Sequence, residues 1–539
     1  MRKLSILTTS LLALLIFNYG SFGQPSPTWV ARYNGPVGKS DQVRAMTVDA
    51  NGYIYVTGPS DGAKNGNIDY ATIKYDPVTH QQMWLARYNG PGNGEDWPYA
   101  IAVDEAGNVY VTGRSVGNGT NLDYATVKYS PAGVQRWAAR YNSPGSRNDI
   151  GKVVAVDAAG NVFVTGAADA EYLGSNPNAA TTVKYDSSGH QIHVDIYDAL
   201  PNSGTNPNVE DANSIALDAS GNLYVVGNSA GALIIKYDTS LQRQWVKNIA
   251  GGDAHKVLVD ASNNVLVTGW NGQTFKYSSN SSGDLIWQAT SSGSFWDMAL
   301  DPAGNVYVTG QGSDYITEKY DATTGTTLWS KIYVGSGNGP DFARSIALDA
   351  LGNVFVTGHY TAKSGKSGLE VAGTIKYNNS GVQQWVALYD SAAKLTSDGE
   401  VVATDVNGNV YVAGQGISST KTNDFDFLTI KYSAGSSGFT TQRSGNVAEN
   451  NVSTVFSVLN YPNPFSNTTT IEYQLPRDGK VKLAIYDLTG KELATLVNEA
   501  KPAGVHKVTF EAGKLSSGTY LCKIQCGDLI KTKELILLK

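Results

Sequence analysis

A ten-residue phrase recurs through most of the chain and limits its fold more than any other feature. In its second copy the phrase reads "DEAGNVYVTG", from Asp104 to Gly113. A Lys-Tyr pair follows each copy, as at Lys128-Tyr129. A period of a few dozen residues indicates a repeat architecture rather than a set of unrelated domains. The first residue of the phrase, called the anchor aspartate here, lies at Asp49, Asp104, Asp157, Asp218, Asp260, Asp301, Asp349 and Asp405.

Each repeat reads as four short strands. In the second repeat they are predicted over 99–104, 108–113, 124–129 and 136–141. Strands with apolar or aromatic residues on both faces suit sheets that pack between other sheets, so the period favours a β-propeller over a solenoid. A tryptophan opens the fourth strand of most units, but Trp29 precedes the first anchor and none follows the last unit. We therefore expect "WVARYN" (Trp29–Asn34) to complete the eighth blade of an all-β ring over residues 24–433.

The two ends of the chain differ from the repeats. Residues 1–23 have the basic start, apolar stretch and small-residue cleavage site of a signal peptide, and no later segment is apolar enough for a membrane-spanning helix. Residues 434–455 read as a flexible linker, and the alternating strands of 456–539 predict a small immunoglobulin-like β-sandwich. Cys522 and Cys526 are expected to be free thiols, because an extended strand would hold them too far apart for a disulfide.

The repeats and the C-terminal segment each resemble a known protein family. "DEAGNVYVTG" followed by "LDYATVKY" resembles the SBBP-type β-propeller repeat family. "NYPNPFSNTTTIEYQL", "IYDLTGKEL" and "LSSGTYLCKI" resemble the type A C-terminal sorting domain of the type IX secretion system. This second resemblance implies that 456–539 engages the secretion machinery of a Bacteroidetes-type cell. The expected location is outside the cell, either secreted or attached to the outer surface.

A second set of acids precedes the anchors by seven or eight residues. These positions should lie where the innermost strand of each unit begins, on the face that carries the long, variable connections. One hypothesis is an acidic ring that binds a cation, an amine or calcium, and the alternative is that each carboxylate caps its own loop. No other cofactor is expected. The acids are Asp41, Asp96, Asp149, Asp211, Asp253, Asp341 and Asp398.

Aromatic residues in the same connections suggest a ligand class. Trp97, Trp270 and Trp296 suit stacking on sugar rings, and the alternative is that they fill gaps between blades. The leading hypothesis is a monomeric module that binds a glycan or a protein on the long-connection face. The acidic body argues against nucleic acid as a partner.

Two enzymatic alternatives stay open. One is a polysaccharide hydrolase or lyase whose acid and base come from scattered loop carboxylates. The other rests on "YDATTGTTLW" (Tyr320–Trp329), which resembles the tryptophan-docking motif of quinoprotein dehydrogenases. No single residue is predicted to be catalytic.

Overall fold

The computed structural model divides the chain into two compact units, Met1–Thr440 and Thr441–Lys539. The expected signal peptide (1–23) and linker (434–455) lie outside the described residues. The structure describes residues 25–62, 67–144, 148–168, 179–198, 211–229, 231–335, 341–362, 369–389, 396–417, 424–433, 457–461, 465–475, 479–487, 491–502, 504–513, 515–527 and 529–537.

The described part of the first unit consists of eight four-stranded antiparallel sheets. Sheets 1 to 7 each take four consecutive strands, whereas sheet 8 combines three late strands with the first strand of the chain. A 3₁₀ turn, Trp270–Gly272, joins β19 to β20. The strands are: in sheet 1, β2 (Ala45–Val48), β3 (Ile54–Asp61), β4 (Ile68–Tyr75) and β5 (Gln82–Tyr88); in sheet 2, β6 (Asp96–Val103), β7 (Val109–Val116), β8 (Leu122–Tyr129) and β9 (Gln135–Tyr141); in sheet 3, β10 (Ile150–Val156), β11 (Val162–Ala168), β12 (Ala179–Tyr185) and β13 (Gln191–Tyr197); in sheet 4, β14 (Asp211–Leu217), β15 (Leu223–Asn228), β16 (Ala232–Tyr237) and β17 (Arg243–Ile249); in sheet 5, β18 (Ala254–Val259), β19 (Val265–Gly269), β20 (Gln273–Tyr277) and β21 (Leu285–Thr290); in sheet 6, β22 (Ser294–Leu300), β23 (Val306–Gln311), β24 (Tyr315–Tyr320) and β25 (Thr327–Tyr333); in sheet 7, β26 (Phe342–Leu348), β27 (Val354–Ala362), β28 (Leu369–Tyr377) and β29 (Gln383–Tyr389); in sheet 8, β30 (Ser397–Thr404), β31 (Val410–Ile417), β32 (Phe425–Tyr432) and β1 (Trp29–Tyr33).

The sheets follow one another around a ring. The first strand of each sheet contacts the first strand of the next, and β30 of sheet 8 contacts β2 of sheet 1. β1 pairs with β32 in antiparallel register, with Trp29 opposite Lys431 and Tyr33 opposite Phe427. The N-terminal strand therefore completes the last sheet, as the position of Trp29 predicts.

Apolar side chains on both faces of the middle strands fill the space between neighbouring sheets. Tyr110 and Tyr124 of sheet 2, for example, share a core with Val162 and Val164 of sheet 3. The second strand of every sheet is buried along most of its length, whereas the fourth strand alternates towards solvent. This burial explains why "NVYVTG" lacks the polar alternation of a half-exposed strand.

The second unit contains two antiparallel sheets that share one core. Ile471 and Phe510 of the three-stranded sheet pack in the same cluster as Leu483 and Ile524 of the four-stranded sheet. The first sheet has β33 (Ser457–Tyr461), β34 (Thr468–Leu475) and β37 (Gly504–Glu511), and the second has β36 (Glu492–Lys501), β35 (Gly479–Tyr486), β38 (Gly518–Cys526) and β39 (Leu529–Leu537).

Cys522 and Cys526 are both buried on β38 and are free thiols, as predicted. Across the described ranges, no helix has the length and apolar character needed to cross a membrane.

Candidate functional site

The anchor aspartates hold tight turns at one end of the sheets. In all eight repeats the anchor carboxylate accepts a hydrogen bond of 2.8 to 2.9 Å from the backbone amide four residues later. In sheet 2 the Asp104 carboxylate also accepts from the Asn108 amide side chain and the Tyr110 hydroxyl. The repeated phrase is therefore built into the scaffold, which directs attention to the opposite end of the sheets.

At that opposite end, one residue in the first strand of seven sheets bulges out of register. The bulged residue lies five positions before the anchor and is skipped in the pairing of the first two strands in sheets 2 to 8. In sheet 1 the same position falls just before β2. We call this set the bulge ring; its members are Arg44, Tyr99, Lys152, Asn213, His255, Trp296, Arg344 and Glu400.

The glycine that ends each "VTG" triplet, which reads Val-Val-Gly in sheet 4 and Val-Ala-Gly in sheet 8, makes the bulge sterically possible. In all eight repeats, a β-carbon on this glycine would approach a carbonyl oxygen of the opposing segment far inside the 3.0 Å that real contacts keep. At Gly113 the oxygen belongs to Trp97, and at Gly358 it belongs to Phe342. Bulges are known to redirect side chains next to binding sites. Here every member of the bulge ring is partly or largely exposed, between neighbours that are mostly buried.

Two pairs of neighbouring members of the bulge ring are in contact. His255 of sheet 5 stacks on Trp296 of sheet 6, with ring centroids 4.5 Å apart and planes 4° from parallel. Lys152 of sheet 3 donates a hydrogen bond to Asn213 of sheet 4 at 3.3 Å and forms an ion pair with Asp211. These contacts join sheet 3 to sheet 4 and sheet 5 to sheet 6 at the bulge ring.

Trp270 joins the His255–Trp296 stack and gives it an exposed aromatic face. Its ring meets His255 edge-on at 5.9 Å and Trp296 edge-on at 5.6 Å, and 46% of the residue is exposed. His255 Nδ1 lies 2.9 Å from the Phe295 carbonyl oxygen. Burial lowers the pKa of His255, so its imidazole is neutral near pH 7. Lys256 and Asp297, paired at 2.9 Å, add polar groups beside the stack.

The sequence pattern predicts Trp270 and Trp296 as binding residues but gives no sign of His255. The structure places Trp97, the third aromatic candidate, in sheet 2. There the guanidinium groups of Arg44 and Arg114 lie 5.5 Å and 5.3 Å from the centre of its ring.

The predicted acids fall into two groups. Asp41, Asp96, Asp149 and Asp341 are fully or almost fully buried. Each accepts a 2.6 Å hydrogen bond from the backbone amide six residues earlier, which is the geometry of a loop cap. Burial raises the pKa of Asp41 and Asp96.

The other three acids are partly exposed. Asp211 pairs with Lys152, Asp253 precedes β18, and Asp398 lies near His359. Among the residues with described coordinates, no three His, Cys, Asp or Glu side chains are grouped closely enough to hold a metal ion.

A charged cluster occupies sheets 7 and 8. His359 Nδ1 lies 3.9 Å from the Asp398 carboxylate, and its Nε2 lies 3.6 Å from Glu370. Burial raises the pKa of both Asp398 and Glu400, repulsion from Asp398 raises that of Glu400 further, and Arg344 opposes both shifts. One of these two carboxyl groups can therefore keep a proton at a higher pH than an ordinary acid would.

The motif at Tyr320–Trp329 contains the turn between β24 and β25, and the tryptophan of the preceding sheet packs against this turn. Asp321 caps it by accepting hydrogen bonds from the amides of Thr323 and Thr324, and the space beside Gly325 is filled by the Trp287 ring of sheet 5. The equivalent glycines Gly133, Gly189, Gly283 and Gly381 meet tryptophans in the same way. Tryptophan docking is thus a general contact between sheets in this chain.

Two protein families match parts of the chain. The secretion system C-terminal sorting domain matches residues 460–538. The beta-propeller repeat family matches residues 29–67 and 86–120. No curated protein matches the chain.

Solved structures match the chain at low sequence identity. The C-terminal WD40 domain of Sif2 is 11% identical, with a TM-score of 0.50, and the match covers 76% of this chain and 99% of that one. BamB from Moraxella catarrhalis is 13% identical with the same coverage and a TM-score of 0.45. A protein of unknown function from Bacteroides caccae is 9% identical, covers 65% of this chain and 94% of its own, and has a TM-score of 0.32. The Sif2 similarity supports the β-propeller fold alone.

The sorting domain supports export to the cell surface or the medium. The family matches and the repeated sheets agree on one assignment. The chain carries SBBP-type β-propeller repeats and a type IX secretion system C-terminal sorting domain.

Proposed function

We propose that the protein is an exported glycan-binding module and that its binding site is centred on Trp270, Trp296 and His255. The observation that carries this proposal is the exposed ring of Trp270, which lies edge-on against the partly buried His255–Trp296 stack at the bulge ring. Sugar rings have apolar faces that stack on aromatic groups, and their hydroxyl edges require hydrogen-bonding partners. The Lys256–Asp297 pair supplies such partners beside the stack.

The proposal also covers the number of blades, the fold of the C-terminal unit and the division of the chain into segments. The eight sheets and the β1–β32 pairing support an eight-bladed propeller over 24–433, and the two facing sheets support an immunoglobulin-like sandwich over 456–539. We propose a signal peptide over 1–23, a linker over 434–455, a Bacteroidetes origin and a monomeric body. The buried members of the acid set are proposed to cap loops rather than to bind a ligand.

A glycan array tests the binding site. Wild-type protein is expected to retain a defined set of glycans, and Trp270→Ala or Trp296→Ala should weaken that binding about tenfold or more, since each removes a stacking surface. Ile332→Ala is a matched control, because this residue is 60% exposed on a fourth strand, away from the bulge ring. A wild-type protein that retains no glycan, or tryptophan variants that bind as tightly as wild type, would refute the proposal; retention of a protein ligand alone would favour an adhesin.

The second candidate is a polysaccharide hydrolase or lyase that uses the sheet 7 and 8 cluster. The specific observation is the pair of carboxyl groups with raised pKa, Asp398 and Glu400, beside Arg344. A carboxyl group that stays protonated can act as a general acid. Release of reducing ends from a bound polysaccharide, abolished by Glu400→Gln with glycan binding retained, would establish this activity. Binding without release leaves the module function alone.

A further inference from the structure

The turn end of the sheets, opposite the bulge ring, carries a repeated aromatic arrangement. In seven sheets the second residue of the second strand is a tyrosine or phenylalanine, and the lysine of the Lys-Tyr pair places Nζ 4.8 to 5.6 Å from the centre of its ring. Where the residue is tyrosine, its hydroxyl donates to the anchor aspartate at 2.9 to 3.1 Å. The rings are those of Tyr55, Tyr110, Phe163, Tyr224, Tyr307, Phe355 and Tyr411.

Sheet 5 keeps the lysine and the aspartate but lacks the ring. Leu266 occupies the ring position, and Lys276 pairs directly with the anchor Asp260 at 2.9 Å. Both charged side chains are more than nine-tenths buried. Burial would raise the pKa of Asp260, but hydrogen bonds from Lys276 and Asn264 hold it below its ordinary value, so the carboxylate stays ionised at neutral pH.

A cavity of about 480 Å³ lies beside this ion pair. Its walls come from the anchor turn of sheet 5, from β20 and β21 of the same sheet and from two turns of sheet 6, and they include Asp260, Asn264, Lys276, Ile286, Ala322 and Thr323. Lys276 also donates a hydrogen bond to the Ala322 carbonyl at 2.8 Å. The cavity is thus bordered by the two groups that hold the aromatic ring in the other sheets.

Sheet 6 shows what fills the equivalent space when the ring is present. The Tyr307 hydroxyl donates to Asp301 at 3.1 Å and reaches Asn379, in a turn of the next sheet, at 3.0 Å. Lys319 remains 3.5 Å from the same Asp301 oxygen. One carboxylate therefore accommodates both a phenol hydroxyl and an ammonium group, and the ring spans the gap between one sheet's anchor and the next sheet's turn.

We propose that the sheet 5 cavity binds a phenolic ring supplied from outside the propeller, either as a free para-substituted phenol or as a tyrosine side chain of another protein. The Lys276 ammonium would lie against the face of this ring, as lysines do in the other sheets, and the hydroxyl would donate to Asp260. The Ala322–Thr323 turn would cover the far edge. The site is independent of the glycan site, because it lies at the opposite end of the sheets.

Binding of p-cresol to the full-length protein tests this proposal. Calorimetric titration is expected to show one saturable site, with weaker binding of toluene, which cannot donate to Asp260. Leu266→Tyr introduces the ring that the other sheets hold against the equivalent lysine and aspartate, and it should abolish p-cresol binding. Leu266→Phe, which introduces the ring found in sheets 3 and 7, is a second blocked variant if the tyrosine variant fails to fold.

N-acetyltyrosinamide in a parallel titration separates the two sources of the ring. Saturable binding of both probes indicates a tyrosine side chain, and binding of p-cresol alone indicates a free phenol. The proposal is overturned if wild type binds neither probe, or if p-cresol binding survives in a folded Leu266 variant.

Discussion

At the scale of single residues, the "VTG" glycine has a packing role that its sequence context hides. Its backbone needs no unusual torsion angle; what it needs is room, because the bulged strand brings a carbonyl oxygen against its α-carbon. Any side chain at this position would force the bulge ring to move. The absence of a side chain on this glycine therefore links the packing of the sheets to the position of the candidate binding surface.

Two neighbouring glycines allow a matched test of this role. Gly310→Ala in sheet 6 would direct a methyl group at the Ser294 carbonyl, and we expect a loss of about 1–3 kcal/mol in the free energy of unfolding. Gly312→Ala, two residues later, meets nothing closer than 4.0 Å and should change stability little. Chemical denaturation of the two variants compares them, and equal losses would contradict the steric explanation.

The Asp398–Glu400 pair predicts a dependence of stability on pH. A carboxyl group whose pKa is raised by folding binds its proton more tightly in the native state. The free energy of unfolding should therefore fall as pH rises from about 4 through the raised pKa. Glu400→Gln should flatten this fall and raise the melting temperature at neutral pH. Melting curves at acidic and neutral pH measure both effects, and the exposed Glu105→Gln serves as the unchanged control.

At the scale of elements, hydrogen bonds between sheets hold the turns in place. The Trp84 indole and the Lys74 ammonium of sheet 1 both donate to the Pro131 carbonyl in a turn of sheet 2. Lys431 of sheet 8 donates to the Pro77 carbonyl of sheet 1, so the same contact also closes the ring. The repeated lysines therefore stabilise neighbouring turns and do not form a basic binding patch.

Sheets 1 to 7 each have an anchor turn between their first and second strands and another turn between their third and fourth strands. We expect the stability of the protein to depend more strongly on the anchor turn. Asp104→Ala removes hydrogen bonds to the Asn108 amide, the Asn108 side chain and the buried Tyr110, and should cost about 1–3 kcal/mol of stability. Asp186→Ala removes bonds only from an exposed turn and should cost less. Urea denaturation ranks the two variants; an equal or reversed order would show that the Tyr110 contact is not important.

At the scale of the whole molecule, the sequence predicted the architecture better than the site. The repeat spacing and the position of Trp29 before the first anchor aspartate were sufficient to predict the four-stranded sheets and the β1–β32 pairing. The bulge was not predicted from the sequence. The upstream acids lie seven residues before some anchors and eight before others, and this uneven spacing hides the common position five residues before each anchor.

One signal could have revealed the bulge ring. The position five residues before the anchor changes chemical type from unit to unit, through arginine, tyrosine, histidine and glutamate, whereas the position three residues before the anchor is apolar in every unit. A position that varies from one repeat to the next is one whose residue type is not fixed by the packing of the scaffold. The Trp270–Trp296–His255 stack could not be predicted, because it depends on side-chain contacts between two sheets.

Ring closure gives a prediction for the molecule as a whole. Deleting residues 25–34 removes β1 and leaves β32 as an unpaired edge, so the melting temperature should fall and self-association should rise. Adding a peptide with the sequence of residues 28–34 should restore part of the loss. Calorimetry and size-exclusion chromatography measure these changes, and a deletion variant as stable as wild type would show that β1 contributes nothing.

The β1–β32 pairing also sets an order of events during biosynthesis. Thr28 and Lys431, which are hydrogen-bonded to each other, are 403 residues apart in the chain. A ribosome makes one partner long before the other, so seven sheets can assemble while the ring is still open. Contacts between such distant residues form slowly. The last step of folding therefore waits until nearly the whole propeller has been translated, and a chain cut short before β32 has no partner for its own first strand.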